Sequence, residues 1–392
     1  MMHAPRPPLP IHARMTCFGA RSNWDAAIII PAKDEARRIQ SCLTAAGQAA
    51  ALVNPDRVGL IVVVNNTTDA TANHVSSWAA GQDVPVILIV CHFDPADAGV
   101  GSARRLGFDL GYRTVQSNGA LLTTDADTLV ASDWVRRNLA ELRSADLICG
   151  KVNAIASEAA ALPPEIAGHG SAEGDYVAAA VELAALLDPR PHDPAPTHHN
   201  APGASLAIRR KVYAAVGGLP IIQIGEDRAL AALVEDHDFR VRYADTVVVE
   251  TSCRMTGRTE GGMAGALRAR AFEANPFADE WLEPAATFYL RHRLRATLRA
   301  VWPNETRMRQ ILGAHLGPGI ARTIMAADRP GHFGQFFYSV EQTAPALARR
   351  RMRLGDCRAQ LSALQAMLTR MRMAADKADD VQPDRRIHAM GE

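Results

Sequence analysis

The stretch Ala26-Ala27-Ile28-Ile29-Ile30-Pro31 is the first of several short apolar blocks whose spacing decides the fold class. It is followed by a helical pattern at 36–50 (ARRIQSCLTAAGQAA), a second apolar block at 59–64 (GLIVVV), a helical pattern at 70–80 (ATANHVSSWAA) and a third block at 84–90 (VPVILIV). Blocks of four to six apolar residues without polar alternation predict strands covered on both faces, which is how parallel strands under helices read. Strand and helix alternate regularly, so the class is α/β with a Rossmann-like, mostly parallel central sheet flanked by helices. Further along come a helix over 102–110, a strand ending in Thr123-Thr124-Asp125-Ala126-Asp127, a helix from Ser132 and a strand at 146–152. After an irregular stretch, 203–220 reads strand, helix and double-glycine stop, and 225–249 reads helix, turn and strand.

Length and composition bound what this sheet can be part of. The 392 residues are 48% hydrophobic and 22% charged, enough apolar material for a large core and outside the range of disordered chains. A formal net charge of +1 argues against a dedicated nucleic-acid binder. The six cysteines (Cys17, Cys42, Cys91, Cys149, Cys253, Cys357) stand singly, so no CxxC zinc or thioredoxin-type site is available, and reduced thiols in a cytoplasm are expected. No window approaches the roughly 18 consecutive apolar residues of a membrane span. Residues 1–24, rich in proline and lacking an apolar h-region, are expected to be a disordered leader rather than a secretory signal.

The regular pattern fades near Thr251. The organisation expected is therefore a sheet domain over 25–280, a helical extension over 281–376 and a flexible tail over 377–392. The extension is basic, with seven arginines between Arg349 and Arg372 against one acid, Asp356. A long helix is expected over 343–376, where Leu347, Leu354, Leu361, Leu364, Leu368 and Met371 form one stripe. That stripe suits packing on the same chain or on a second copy, and the arginines suit either a solvated face or an anionic membrane surface.

Polar clusters stand at successive strand ends, where open α/β sheets bind ligands. The first is Pro31-Ala32-Lys33-Asp34-Glu35, in which Asp34 could cap the following helix or line a nucleotide pocket. The second is Val64-Asn65-Asn66-Thr67-Thr68-Asp69, with ordinary turn residues. The third is Asp125-Ala126-Asp127: two carboxylates that either close the strand with Asx bonds or hold a hard cation such as Mg²⁺ or Mn²⁺. The fourth is Gly225-Glu226-Asp227, first-turn acids stabilised by the helix N-terminus or, given a hydroxyl within hydrogen-bond reach, a general base.

Taken in order, IIIPAKDEARRI, VVVNNTTDAT, the GSARRLGFDLG helix, TTDADT, GASLAIRRKVYAAVGG and GEDRALAALV resemble family 2 glycosyltransferases, the GT-A nucleotide-sugar enzymes, over about residues 25–300. The resemblance implies a GT-A fold, a nucleotide-sugar donor and transfer of one sugar to an acceptor hydroxyl. It implies that Pro31, Asp34 and Glu35 line the nucleotide pocket, with Asn66 and Asp69 near the base and Arg104 also at the donor. Asp125 would meet ribose or metal, Asp127 would coordinate Mg²⁺ or Mn²⁺, and Asp227, beside Glu226, would deprotonate the acceptor, inverting the sugar. The loop 251–262, carrying Arg254 and Arg258, resembles the segment that closes over the donor diphosphate, with Arg258 assigned to that contact.

Three departures qualify the resemblance. Val64 stands where many relatives place an aspartate, which leaves the carrier nucleotide open. The Gln-x-x-Arg-Trp signature of processive synthases is missing, so a discrete small-molecule or lipid-linked acceptor is expected. No histidine follows the strand at 246–250 as a third metal ligand; Glu250, His198 and His199 are the alternatives. The stretch 176–200 is assigned to the acceptor side. Peripheral membrane contact or a homodimer through the C-terminal helices is left open. A nucleotidyltransferase is disfavoured because the loop PAKDEARR has no glycine, whereas a retaining or non-catalytic sugar-nucleotide-binding homologue stands as the alternative.

Overall fold

A computed structural model describes residues 8–20, 22–222, 224–257, 262–327 and 330–380. By its internal contacts the chain divides into two compact units, Met1–Leu162 with His192–Leu267, and Pro163–Pro191 with Arg268–Glu392.

The first unit is built on a sheet of nine strands among the described residues. In chain order its elements are β1 (His12–Phe18), β2 (Trp24–Ala32), α1 (Ile39–Ala51), β3 (Val58–Asn65), α2 (Thr71–Ala79), β4 (Val86–His92), α3 (Val100–Thr114), β5 (Val115–Thr123), β6 (Thr128–Val130), α4 (Trp134–Glu141), β7 (Leu147–Ala154) and α5 (Ala156–Ala159). After α6 (Pro164–Leu187) come β8 (Leu206–Arg209), α7 (Arg210–Ala215), α8 (Glu226–Asp236) and β9 (Val241–Thr251). The strand order is β1-β4-β3-β2-β5-β8-β7-β9-β6. Strands β4, β3, β2 and β5 run parallel, and so do β7 and β9, while β8 lies antiparallel between β5 and β7.

The unbroken apolar runs follow from burial on both faces. Ile28, Ile30, Leu60, Val62 and Val64 point to the side covered by α1, α2 and α4, through Leu43, Val75 and Trp134. Ile29, Ile61 and Val63 point to the other side, where Phe108 of α3, Tyr213 of α7 and Leu230 of α8 close over them. Each such side chain contributes about 1.5–3 kcal/mol by leaving water. The α3 helix sits close on the sheet because Gly107 presents no side chain: a Cβ there would lie 2.5 Å from Ile29 Cγ2.

The N-terminal stretch departs from the expected leader. Residues 12–18 form an edge strand antiparallel to β4, with His12 opposite His92 and Phe18 opposite Val86. It satisfies the backbone groups that β4 would otherwise leave open at the sheet edge.

The second unit is helical. It comprises α6 together with α10 (Ala285–Val301), α11 (Glu305–Leu316), α12 (Pro318–Ala326), α13 (Phe333–Thr343) and α14 (Leu354–Asp380), while α9 (Met263–Phe272) runs across the division between the units. Pro345 opens a single 3₁₀ turn (Pro345–Leu347), so the long C-terminal helix starts at Leu354 rather than near Thr343. The leucine stripe is split accordingly. Leu347 packs with Leu294, Leu298 and Phe337, whereas Leu354, Leu364 and Leu368 pack with Tyr176 and Leu183 of α6. Helix α6 was expected with the sheet domain and belongs by its contacts to this helical unit. No helix of the described residues is long and apolar enough to cross a membrane.

Candidate active site

The loops after β2 and β3 are stitched together side by side. Asp34, held at φ +52°, accepts hydrogen bonds at Oδ1 from the Thr68 amide (2.8 Å) and hydroxyl (3.2 Å), and its own amide donates to Thr67 Oγ1 (3.2 Å). Asp69 accepts from the Ala36 amide (3.0 Å) and, at its other oxygen, from the Thr71 amide (2.9 Å) and hydroxyl. The Thr71 hydroxyl in turn accepts from the Glu35 amide at 2.8 Å. Asp34 is therefore a link between loops and not the cap of α1, whose start at Arg38 has no side-chain cap. A pocket of about 220 Å³ opens among Asp34, Glu35, Arg37, Arg38, Thr68 and Asp69.

Two residues expected at this pocket are used differently. Pro31 is buried within β2, opposite Val63 of β3. Asn66, at φ +47°, closes a two-way tie: its amide donates to the Phe93 carbonyl (2.9 Å) and its carbonyl accepts from the Phe93 amide (3.1 Å).

At the end of β5, Asp125 and Asp127 reach two different cations. One guanidinium, that of Arg104 on α3, bonds to Asp125 Oδ1 through Nη2 and to Glu226 Oε1 through Nη1. The Arg104 and Glu226 side chains are each 3% exposed, so this bridge is interior, and Arg104 is enclosed rather than presented to solvent. Burial pushes the Asp125 and Glu226 carboxyls up, and Arg104 opposes that shift at both. Next to Glu226, Asp227 at the start of α8 accepts the Gly203 amide at 2.6 Å and the Arg228 amide at 2.8 Å. Gly203, which the sequence did not single out, lies with no room for a side chain against the Arg104 guanidinium.

Asp127 meets Arg254, whose Nη2 lies 3.0 Å from Asp127 Oδ2 while the same guanidinium forks onto both oxygens of Glu35. The pairing of β6 with β9 brings Arg254 there: Thr128 faces Thr251, and the Ser252 amide donates to the Asp127 carbonyl at 3.2 Å. Glu158 steadies the same turn, accepting from the Ser252 hydroxyl (2.6 Å), the Cys253 amide (3.0 Å) and Arg38 (3.0 Å). Burial, with Asp125 and Glu35 adding to it and Arg254 opposing, leaves the Asp127 carboxyl pushed up to about 6. Beneath the loop, Cys42 donates to the Asp125 carbonyl, and burial together with Asp127 and Asp125 pushes its thiol far up, so it is a neutral packing group.

Arg258 lies outside the described residues. His198 and His199 pack on the Tyr243 ring, and Glu250 is exposed on β9. Among the described residues no group of three or more His, Cys, Asp or Glu side chains is arranged around a common metal position. Two residues whose roles no motif in the sequence marks, Gly203 and Glu158, act through partners 24 to 120 positions away in the chain, for which no local pattern exists.

Residues 27–214, from β2 to α7, match the family model described as glycosyl transferase family 2. This chain carries a family 2 glycosyltransferase domain. The fold of the glycosyltransferase is of GT-A type, a central sheet with helices on both faces and its polar residues gathered at the ends of β2, β3 and β5. Among solved structures it is similar to the mannosyltransferase PcManGT from Pyrobaculum calidifontis in complex with GDP-Man and Mn²⁺ (14% identity over 95% of this chain and 85% of that one, TM-score 0.45). It is also similar to S. aureus TarS 1-349 in complex with UDP-GlcNAc (14% identity, 92% and 93% of the two chains, TM-score 0.44). A third is glucosyl-3-phosphoglycerate synthase from Mycobacterium tuberculosis with Mn²⁺, UDP and phosphoglyceric acid (17% identity, 63% and 77%, TM-score 0.40). No curated protein matches the glycosyltransferase.

Proposed function

We propose that this glycosyltransferase moves one sugar from a nucleotide-sugar donor to a hydroxyl of a discrete acceptor, inverting the anomeric centre, with Asp227 as the base. One observation carries the reading: the Arg104 guanidinium is gripped by both Asp125 and Glu226, so the Asp-Ala-Asp loop and the Glu-Asp start of α8 form one site. The pocket among Asp34, Glu35, Thr68 and Asp69 would take the nucleoside, and Arg258 is assigned to the diphosphate.

Asp227 is fixed by the Gly203 and Arg228 amides, which orient its carboxylate and leave further lone pairs on each oxygen. As base it takes the acceptor proton while the acceptor oxygen bonds to C1 and the C1–O bond to the diphosphate breaks. Arg104 is the positioning residue that holds Glu226, and with it the start of α8, against Asp125. The donor set at Asp127 fits a hard divalent cation: Mg²⁺ is commonly held by one or two carboxylates plus substrate phosphates rather than by an all-protein cage. Asp127, with Asp125, would hold Mg²⁺ or Mn²⁺, which supplies charge stabilisation for the departing diphosphate.

A small-molecule or lipid-linked acceptor suits a sequence without the processive signature, and the free cysteines suit a cytoplasmic setting. The basic C-terminal helices would give peripheral membrane contact or a homodimer; in support, the apolar side of α14 is already covered by α6 while its arginines face outward. The deciding experiment incubates the full chain with Mn²⁺ and a panel of nucleotide sugars, follows release of nucleoside diphosphate, and assigns the product anomer by NMR. Turnover that Asp127→Ala abolishes is expected. Unchanged turnover in that variant would remove the metal assignment, a retained anomer would remove Asp227 as base, and nucleotide binding without turnover across donors would establish a binding module instead.

A further inference from the structure

The position at which a divalent cation would meet Asp127 already has a cation of this chain beside it. Arg254 Nη2 is 3.0 Å from Asp127 Oδ2, Nη1 donates to Glu35 Oε2 at 2.8 Å, and Nη2 also reaches Glu35 Oε1. The contact is built rather than incidental. The Arg254 and Asp127 side chains are only 17% and 16% exposed, and Glu35 only 8%. The turn that delivers Arg254 is held from both sides, by the Ser252 amide on the Asp127 carbonyl and by Glu158 on Ser252 and Cys253. A guanidinium in that place neutralises two enclosed carboxylates that would otherwise repel each other. A divalent ion arriving alone at Asp127 has to displace it or tolerate its positive charge at close range. A nucleoside diphosphate changes the balance, because phosphate offers the guanidinium the same forked, charge-assisted geometry that Glu35 provides.

We propose that Arg254 is the resident counter-ion of Asp127 and Glu35 in the donor-free protein, so that a divalent cation gains Asp127 only together with a nucleoside diphosphate that takes over the guanidinium. The proposal rests on the reading that Asp127 receives the metal. It makes metal and nucleotide binding mutually cooperative, since whatever loosens Arg254 for one ligand loosens it equally for the other. Free metal then does not load the site ahead of the donor.

The test titrates Mn²⁺ into the full chain without nucleotide, following unbound Mn²⁺ by its electron paramagnetic resonance signal, and repeats the titration with UDP and with GDP. The wild type should bind Mn²⁺ alone weakly, and Arg254→Gln should bind it about tenfold tighter or more, the site no longer being occupied by a competing state. Nucleotide should then tighten Mn²⁺ binding less in Arg254→Gln than in the wild type. Should Arg254→Gln fail to fold, as judged by its melting curve, Arg254→Lys decides: it keeps the charge but loses the fork onto Glu35, and should bind Mn²⁺ alone more tightly than the wild type. Equal affinity of the wild type and the variants for Mn²⁺ alone overturns the counter-ion role while leaving the metal reading intact. Absence of Mn²⁺ binding in every protein, with either nucleotide present, overturns both.

Discussion

A Cβ on Gly203 would stand 2.6 Å from Nη1 of Arg104, closer than any real Cβ contact allows. The guanidinium cannot retreat, because Asp125 holds it on one side and Glu226 on the other. Gly203→Ala should therefore push Arg104 off its carboxylates, at about 1–3 kcal/mol of overpacking. Turnover should fall further than the melting temperature alone would explain, because the Gly203 amide also orients Asp227. Wild-type turnover in a folded Gly203→Ala protein would show that the Arg104 bridge is dispensable for the site.

Removing Arg104 strands Glu226 as an enclosed charge. Arg104→Met is expected to cost about 3–5 kcal/mol of stability, the usual penalty for deleting one partner of a buried pair. Arg104→Lys should lie between that variant and the wild type, since an ammonium cannot fork between two carboxylates. Urea denaturation of the three proteins reads the order, and a neutral Arg104→Met would contradict the interior bridge.

Asp227→Asn keeps one oxygen to accept the Gly203 amide but turns its NH2 towards the Arg228 amide, so it should fold with a melting temperature only modestly below that of the wild type. As the base is lost, kcat should fall by about 10²–10⁴. A modest change in kcat with a large change in melting temperature would assign Asp227 to structure instead.

In the helical unit, His292 donates from Nδ1 to the Phe288 carbonyl at 2.9 Å and lies tilted against the Phe288 ring. Burial pulls it down to about 3 from an ordinary 6.5. Between those pH values the unfolded chain takes up a proton that the folded protein refuses, so stability falls as pH drops below 6.5 and is unaffected above it. Melting temperatures of the wild type and His292→Gln at pH 7 and pH 4 check this: the variant should lose less on acidification, and equal losses would refute the assignment.

The parts of the fold that could be read from local pattern were those whose environment is uniform along a segment. GLIVVV and VPVILIV are unbroken because helices cover both faces of β3 and β4. HARMTCF carries no such signature, because β1 is largely exposed and exists through its pairing with β4, some 75 residues on. Likewise β8 reads as a strand, but nothing local says that it enters antiparallel between β5 and β7. In the site, the polar clusters at the ends of β2, β3 and β5 were visible as residue types. Their partners were not: Asp34 reads in sequence as either a helix cap or a pocket residue, and it bridges to Thr68 while lining the pocket, whereas Asn66 is committed to the Phe93 backbone.

By itself, then, the sequence determined the α/β class, the chain positions where polar loops interrupt the sheet, and the family resemblance those loops carry, because apolar periodicity and short polar motifs are local properties. Only the tertiary structure decided which charge meets which: that Arg104 joins Asp125 to Glu226, and that Arg254 joins Asp127 to Glu35. Those pairings span 21 to 219 positions of chain. An enclosed charge must find a counter-charge wherever the fold brings one, and that geometry is settled by strand order and register rather than by neighbours in sequence.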